Sequence, residues 1–318
     1  LWNELHPAHG GNDPSACEAF ITDLSGFLRA LELRIHGRTH LQTVSVFGLG
    51  SRGSSAPLPP VFRHPGLDFA NPHLYGRRTI DDPRNTVAPA LATGRMMRAA
   101  IGATTDQRPV FDSEHGPIHA FLNRHRMLPE AFDDEYFRHI QWAHLASGGA
   151  GGGMRWPNRH PHVLTQGMRR AQLALSRFLP LIDWSRFARR NLNEEADVSQ
   201  GFRVFACGDA DQAVAWLLRT DGIGPEGTLR DDVPPRQTVL VLPGLAAGRY
   251  RVALFDTQHG LTIDSRYLSH GGGEMRLACG AVVRDLAVAV VAVGSPPASA
   301  GLQCVVSRPA SRACAAIS

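Results

Sequence analysis

The segment Arg108-Pro109-Val110-Phe111-Asp112-Ser113-Glu114-His115-Gly116 (RPVFDSEHG) sets the frame for the rest of the chain. Arg108 to Asp112 carries a short apolar run and reads as a strand, and an acidic residue, a histidine and a glycine follow it directly. Strands and helices alternate on either side. Upstream, Asp13-Pro14 reads as an N-cap followed by proline in the first helical turn. Phe20, Leu24, Phe27, Leu28, Leu31 and Ile35 then recur at helical spacing until Gly37. The β-branched run Leu41 to Phe47 and the apolar Leu67 to Ala70 read as strands on either side of a loop rich in Gly, Ser and Pro. A helix is expected within about Pro83 to Ile101. Downstream, the pattern predicts a helix from about Asp134 to Ser147, a strand near Gly153 to Trp156 and a helix from about Pro161 to Phe178. The first four residues fit the end of one more strand. Such alternation implies right-handed βαβ units and a parallel sheet, so the fold class is α/β.

From about Val198 the texture changes to short runs separated by Gly, Pro and Asp turns: Phe202 to Ala206, Ala213 to Leu218, Thr238 to Leu242, Tyr250 to Asp256, Met275 to Cys279 and Leu286 to Val293. That spacing predicts an all-β module, a small sandwich. The expected division is 1–192 for the α/β part, 198–293 for the β part, and an Ala/Ser/Pro-rich tail at 294–318 expected to be poorly ordered.

Composition excludes several classes. A hydrophobic content of 43% with 19% charged residues is that of a folded chain, not a disordered one. All 33 basic side chains are Arg, a choice that fits the base composition of a GC-rich genome better than selection for a ligand. The net charge of +4 is spread along the 318 residues, so no nucleic-acid partner is indicated. No stretch has the roughly 18 consecutive apolar residues of a membrane helix, so no membrane partner is expected either. Cys17, Cys207, Cys279, Cys304 and Cys314 are far apart and odd in number, which indicates neither a disulfide framework nor a zinc site. The chain opens on Leu1 without Met or signal peptide, and a preceding segment is expected.

Two carboxylates stand at strand ends. Trp2-Asn3-Glu4 places Glu4 where the first strand should close, and Glu114 follows the strand Pro109-Val110-Phe111. Loops at the C-terminal mouth of parallel strands converge, so carboxyls from different strands can face one pocket there. Such a pair suits chemistry in which one group must be neutral to give a proton and the other ionised to attack. The alternative for each is a solvated loop residue.

These residues, with the His-x-Tyr element in Asn71-Pro72-His73-Leu74-Tyr75, Gly116 after Glu114 and Trp156 closing a later strand, resemble glycoside hydrolase clan A. That (β/α)8 group includes cellulases and β-mannanases. The resemblance covers roughly 1–190 and implies strands four to eight of a TIM barrel, with Asn-Glu ending the fourth strand and the nucleophile ending the seventh. It implies a retaining glycoside hydrolase that cleaves β-glycosidic bonds of a poly- or oligosaccharide, with a carbohydrate substrate and no cofactor. It further implies Glu4 as acid/base, Asn3 on the sugar 2-hydroxyl, Glu114 as nucleophile, Tyr75 as a donor to its carboxylate, His73 in the same pocket and Trp156 stacking on the sugar. Leu5 stands where the clan often has proline. A secreted or periplasmic location suits such an enzyme. The segments Val241 to Leu245, Gly248 to Val252 and Phe255 to Thr257 look like the C-terminal sandwich of cellulase-like bacterial enzymes, here an accessory or packing domain. The competing reading is a non-catalytic or degenerate carbohydrate-binding protein that lacks the first barrel strands.

Other motifs carry less. His115 and His119 are four apart, but Gly116 and Pro117 between them argue against a helical metal pair, and His6/His9 and His160/His162 are loop-like, so no metal is expected. Gly148 to Gly153 (GGAGGG) is followed by no Lys-Ser/Thr and precedes a strand, which indicates tight packing in place of phosphate binding. Trp142, Trp184 and Trp216 are expected in the core.

Overall fold

The computed structural model describes residues 1–5, 13–46, 62–76, 78–104, 106–118, 128–156 and 164–294, with Trp2, Glu4 and Leu5 described by backbone alone. His6, His9, His119, His160, His162, Cys304, Cys314, the Gly/Ser/Pro-rich loop as far as 61 and the tail from 295 onward lie outside these residues. Among the described residues the chain is mixed α/β, with a parallel sheet and a curled antiparallel sheet. No described helix is long and apolar enough to cross a membrane.

The parallel sheet runs in chain order: β1 (Trp2–Leu5), β2 (Val44–Val46), β3 (Asn71–Leu74), β4 (Glu114–His115) and β5 (Met154–Arg155). Four helices among the described residues accompany it: α1 (Pro14–His36), α2 (Val87–Ala103), α3 (Glu130–Ala146) and α4 (Gln166–Phe178). The ends of α1 follow from local chemistry. Asp13 accepts hydrogen bonds from the Ser15 and Ala16 amides, and Gly37, at φ +66°, closes the helix by donating its N–H to the Leu33 carbonyl.

The buried face of α1 differs from the expected stripe: Cys17, Ile21 and Ser25 are buried, whereas Phe27 and Ile35 are 62% and 60% exposed. The small residues permit close approach. A Cβ on Gly66 would lie 2.5 Å from Ser25 Oγ, and Arg29 bonds both the Gly66 carbonyl and Asp68 across the same contact.

The strand expected at 67–70 also shifts. Its ladder lies at 71–74, with Ala70 contributing one bridge to Val110. Likewise 108–112 holds only the bridges of Val110 and Phe111, and the strand resumes at Glu114 after Asp112 and Ser113.

The antiparallel sheet comprises β6 (Arg190–Asn191), β7 (Asp197–Val198), β8 (Phe202–Gly208), β9 (Gln212–Arg219), β10 (Arg236–Asp256), β11 (Leu261–Val282) and β12 (Asp285–Ala292). Its order is β11-β10-β12-β9-β8-β6, with β7 on β10. The two strands expected at 238–242 and 250–256 are thus one long strand. Its register shifts between Leu242 and Leu245, around Gly244 at φ +80°. Leu240 and Leu242 before that break share one core with Tyr250, Val252 and Leu254 after it, which is the curl of the sheet.

The two sheets are joined through α3, in which every residue from Glu135 to Ala146 is buried. Trp142 packs on Phe178 and Phe255, with ring centroids 5.1 and 6.0 Å away, and Phe205 packs on Trp216 at 5.1 Å. Trp184, expected in the core, is instead 36% exposed and caps a carbonyl, that of Leu179, with its indole N–H.

Ionic contacts cross the same boundary. Arg138 donates to both oxygens of Asp285, at 2.9 and 2.8 Å, and to Thr257 Oγ1, while Trp216 Nε1 donates to the same carboxylate. Glu135 accepts from Thr86 Oγ1 and the Leu229 amide and pairs with Arg284.

Asp285 is 3% exposed, so removing its cation leaves a buried charge unpaired. Arg138→Ala is expected to cost about 3–5 kcal/mol in urea unfolding, and a loss below about 1 kcal/mol would refute the pair's structural role. Burial by itself would push the Asp285 carboxyl up, but the charge and bonds of Arg138, with His139 and the Thr257 hydroxyl, together outweigh it and hold the group at about 2. Because the folded value lies below the unfolded one of roughly 3.9, the stabilisation is present above that pH and is lost as pH falls through about 2.

Candidate active site

Strand periodicity places Asn71, His73 and Tyr75 on one face of β3 and its continuation, with Pro72 and Leu74 on the other. The parallel register sets His73 beside Glu114. The Tyr75 hydroxyl donates to Glu114 Oε1 at 2.7 Å, and His73 Nδ1 lies 3.0 Å from Oε2, so each carboxylate oxygen has its own partner. His73 and Tyr75 are 2% exposed, whereas the Glu114 side chain keeps 15% of its surface open. Burial pushes the Glu114 carboxyl up, yet the bonds and charge of His73 and the bond of Tyr75 outweigh it and hold the group below the ordinary glutamate value. An ionised, positioned carboxylate with an open side can act as a nucleophile or as a base.

His115, the next residue, faces the opposite way. It is fully buried beside Phe137, and its Nε2 lies 3.1 Å from Gln141 Nε2. Burial, then the charges of His144 and Arg155, push it down to about 3. It is therefore a neutral packing group, and no group of three or more His, Cys, Asp or Glu among the described residues is arranged to hold a metal ion.

Backbone contact carries β5 to the same end of the sheet. The Trp156 amide donates to the His115 carbonyl at 2.6 Å, and a Cβ on Gly116 would meet the Trp156 carbonyl oxygen at 1.6 Å. Only glycine fits there. The run Gly148 to Gly153 serves the same closeness: a Cβ on Gly149 would lie 2.1 Å from the His144 ring, on Gly152 2.0 Å from Gln141 Oε1 and on Gly153 2.1 Å from the Ser113 backbone. The Arg155 guanidinium, in a two-pronged pair with buried Asp133 at 2.9 and 2.7 Å, anchors this strand on α3.

His73, Tyr75 and Glu114 are therefore brought into direct contact, and the Trp156 backbone adjoins the end of β4. Asn3 is exposed, and its Oδ1 accepts from Ser45 Oγ at 3.0 Å. Glu4 lies on β1, separated from β4 by β2 and β3, and its side chain is outside the described residues.

Residues without an assigned role in the sequence reading also matter. Asp112 is fully buried, its Oδ1 accepts from the Glu114 amide at 3.2 Å and the Leu74 amide at 3.4 Å, and burial pushes its carboxyl well up. Asn71 Oδ1 accepts from the Ser113 amide. Asp81 accepts from the Gly76 amide directly after Tyr75, and burial pushes its carboxyl up to about 6. A charge set two residues before Glu114 in an apolar run was the available signal for Asp112.

No family model matches the sequence, and no curated protein matches it. Solved structures do match, glycoside hydrolases among them. One described as a glycoside hydrolase is 13% identical, covering 91% of this chain and 71% of its own, with a TM-score of 0.43. A family 5 glycoside hydrolase from Bacteroides vulgatus is 12% identical, covering 89% and 68%, with a TM-score of 0.48. A GH30 endoxylanase from Clostridium papyrosolvens is 10% identical, covering 86% and 61%, with a TM-score of 0.39.

The two donors make a checkable statement about Glu114. Tyr75→Phe deletes one of them without opening a large cavity, so the Glu114 carboxyl is expected to titrate at higher pH than in the parent protein, followed by carbon-detected NMR of labelled glutamate. An unchanged titration would show that the phenol does not hold the charged form.

Proposed function

We propose that this protein is a retaining glycoside hydrolase acting on β-glycosidic bonds of a poly- or oligosaccharide, with Glu114 as nucleophile and Glu4 as acid/base. The observation that carries the reading is the Glu114 carboxylate itself: held ionised by one donor per oxygen, partly open, at the C-terminal end of a parallel strand. The strand positions of Asn3-Glu4, the His-x-Tyr element and Trp156 support it in the order that the clan A resemblance implies.

In this reading Glu114 attacks the anomeric carbon as Glu4 protonates the departing glycosidic oxygen, which leaves a glycosyl ester on Glu114. Glu4, now ionised, takes a proton from water as the water oxygen attacks the same carbon. Glu114 then departs as a carboxylate, and Glu4 is again protonated. Tyr75 and His73 hold Glu114 in the charged form before it attacks and stabilise it again as it departs as a carboxylate. Trp156 offers an apolar ring to a sugar face and Asn3 an amide to the 2-hydroxyl.

The mechanism sets a geometric requirement. Retaining pairs lie roughly 5–5.5 Å apart, whereas β1 and β4 are three strand spacings apart, roughly 14 Å along a flat sheet. The parallel sheet must therefore curve, and we assign 1–192 to the later strands of a (β/α)8 barrel and 198–293 to a β-sandwich packed on it. The buried aromatic core shared by α3 and the antiparallel sheet supports a packing role for that second part.

A 2-deoxy-2-fluoroglycoside with an activated leaving group tests the nucleophile: a covalent adduct on Glu114, mapped by peptide mass spectrometry, is the expected result. Glycan binding without adduct or turnover would replace this reading with a non-catalytic one. For Glu4, the expected behaviour of Glu4→Gln is a loss on natural substrates on the order of 100- to 10,000-fold, with glycosylation by activated aryl glycosides largely spared. Parent-level activity on natural substrates would remove Glu4 from the mechanism.

A further inference from the structure

The bridges between β3 and β4 are out of step. Ala70 pairs with Val110 and His73 with Glu114, so three steps along one strand match four along the other. One extra residue therefore lies in the second strand between Val110 and Glu114, which is a β-bulge. Without it, the pleat would set Ser113 opposite His73 and turn Glu114 to the other face. A bulge interrupts the ladder, and amides beside it need another acceptor. Asp112 sits inside the bulge, fully buried, and its Oδ1 accepts from the Glu114 amide on its own strand and from the Leu74 amide across the gap. Leu74 stands between His73 and Tyr75, the two partners of the Glu114 carboxylate.

We propose that Asp112 is a positioning residue: through Oδ1 it ties the Leu74 and Glu114 amides to one point and so fixes the spacing across which His73 and Tyr75 reach Glu114. One oxygen thus controls both sides of the contact. The second oxygen, Oδ2, is buried and has no hydrogen-bond partner among the described residues, which an ionised carboxylate would tolerate poorly. The groups around Asp112 are His73 on β3, Glu114 on its own strand, and His144 and Tyr136 on α3. His144 Nε2 receives the Asp112 amide, and none of these supplies a cation bonded to Oδ2. Burial accordingly favours the protonated acid, and the task of the side chain is that of a neutral carbonyl acceptor. The consequence for catalysis rests on the assignment of Glu114 as nucleophile; the clamp does not.

Two variants separate the roles. Asp112→Asn keeps a carbonyl acceptor in the same shape, whereas Asp112→Val fills the site and removes it. Titration of the labelled Glu114 carboxyl, assigned with Glu114→Gln, is expected to move to higher pH in Asp112→Val and to return toward the parent value in Asp112→Asn. On an activated aryl glycoside, kcat is expected to fall on the order of 100-fold in Asp112→Val with KM little changed, and Asp112→Asn is expected to restore most of it. A Glu114 titration unchanged in Asp112→Val, or displaced as far in Asp112→Asn, would overturn the proposal. Should Asp112→Val not fold, hydrogen exchange in the parent protein decides: Leu74 and Glu114 amides protected well beyond the neighbouring loop support the clamp, and unprotected ones overturn it. The titration and exchange require no turnover, so a shifted Glu114 in a protein that forms no fluorosugar adduct would refute the glycosidase reading while leaving the clamp standing.

Discussion

The placement of α3 between the two sheets is the constraint on which the remaining contacts depend. Its side chains are unusually polar for a helix buried from Glu135 to Ala146, and burying such groups is tolerable only where each meets a partner. Asp133, Phe137, Gln141 and His144 form one stripe, at helical spacing, toward β4 and β5. They meet Arg155, the His115 ring, His115 Nε2 and the Asp112 amide in turn. Glu135, Arg138, His139 and Trp142 form another, toward the antiparallel sheet, where Arg284, Asp285, Trp216 and Phe255 receive them. A slip of α3 by one residue would strand charges on both sides at once, so the helix locks the Glu114 end of the parallel sheet to the β part of the chain.

The same layer explains how two carboxyls two residues apart come to differ. Asp112 and Glu114 share a strand and a bulge, yet burial dominates at one and donors dominate at the other. Among the described residues Asp112 receives backbone amides alone, through one oxygen, and it lies under α3. Glu114 points to the other face, where its side chain stays 15% open and His73 and Tyr75 occupy both oxygens. The extra residue in the strand makes this sorting possible, because it sets which of the adjoining side chains faces His73.

Much of this was legible in the sequence wherever local chemistry decides it. Asp13-Pro14 and Gly37 mark the ends of α1 because caps and left-handed closures are one-residue effects. The alternation of strands and helices survives as the order of the parallel sheet. His73 and Tyr75, two apart beside a strand-end glutamate, sit on one pleat as period two requires. What escaped was set by distant partners. The stripe Phe20 to Ile35 reads as a core face, but the contact with Gly66 and Asp68 selects the small side Cys17-Ile21-Ser25. The bulge escaped because an added residue is visible only against the register of a neighbouring strand. The continuity of β10 and β11 through Gly244 and Gly271 to Gly273 escaped because glycine reads as a turn, while a long antiparallel partner supplies the hydrogen bonds that keep such residues extended or bulged.

Which face of the parallel sheet can carry chemistry follows from the same packing. His115 turns toward Gln141 and Phe137 of α3, and its ring is fully buried, so that face is filled by helix. Glu114, one residue earlier, turns to the other face with His73 and Tyr75. In βαβ folds the helices lie outside the curve of a closing parallel sheet, so curvature draws strand ends together on the face opposite them. If β1 approaches β4 by such curvature, it does so on the Glu114 side, and the separation of the proposed pair shrinks while groups on the His115 side spread apart. Histidine abundance near β4 is thus no guide to reactivity: His115 and His144 serve the packing of α3, whereas His73 lies against the Glu114 carboxylate on the other face.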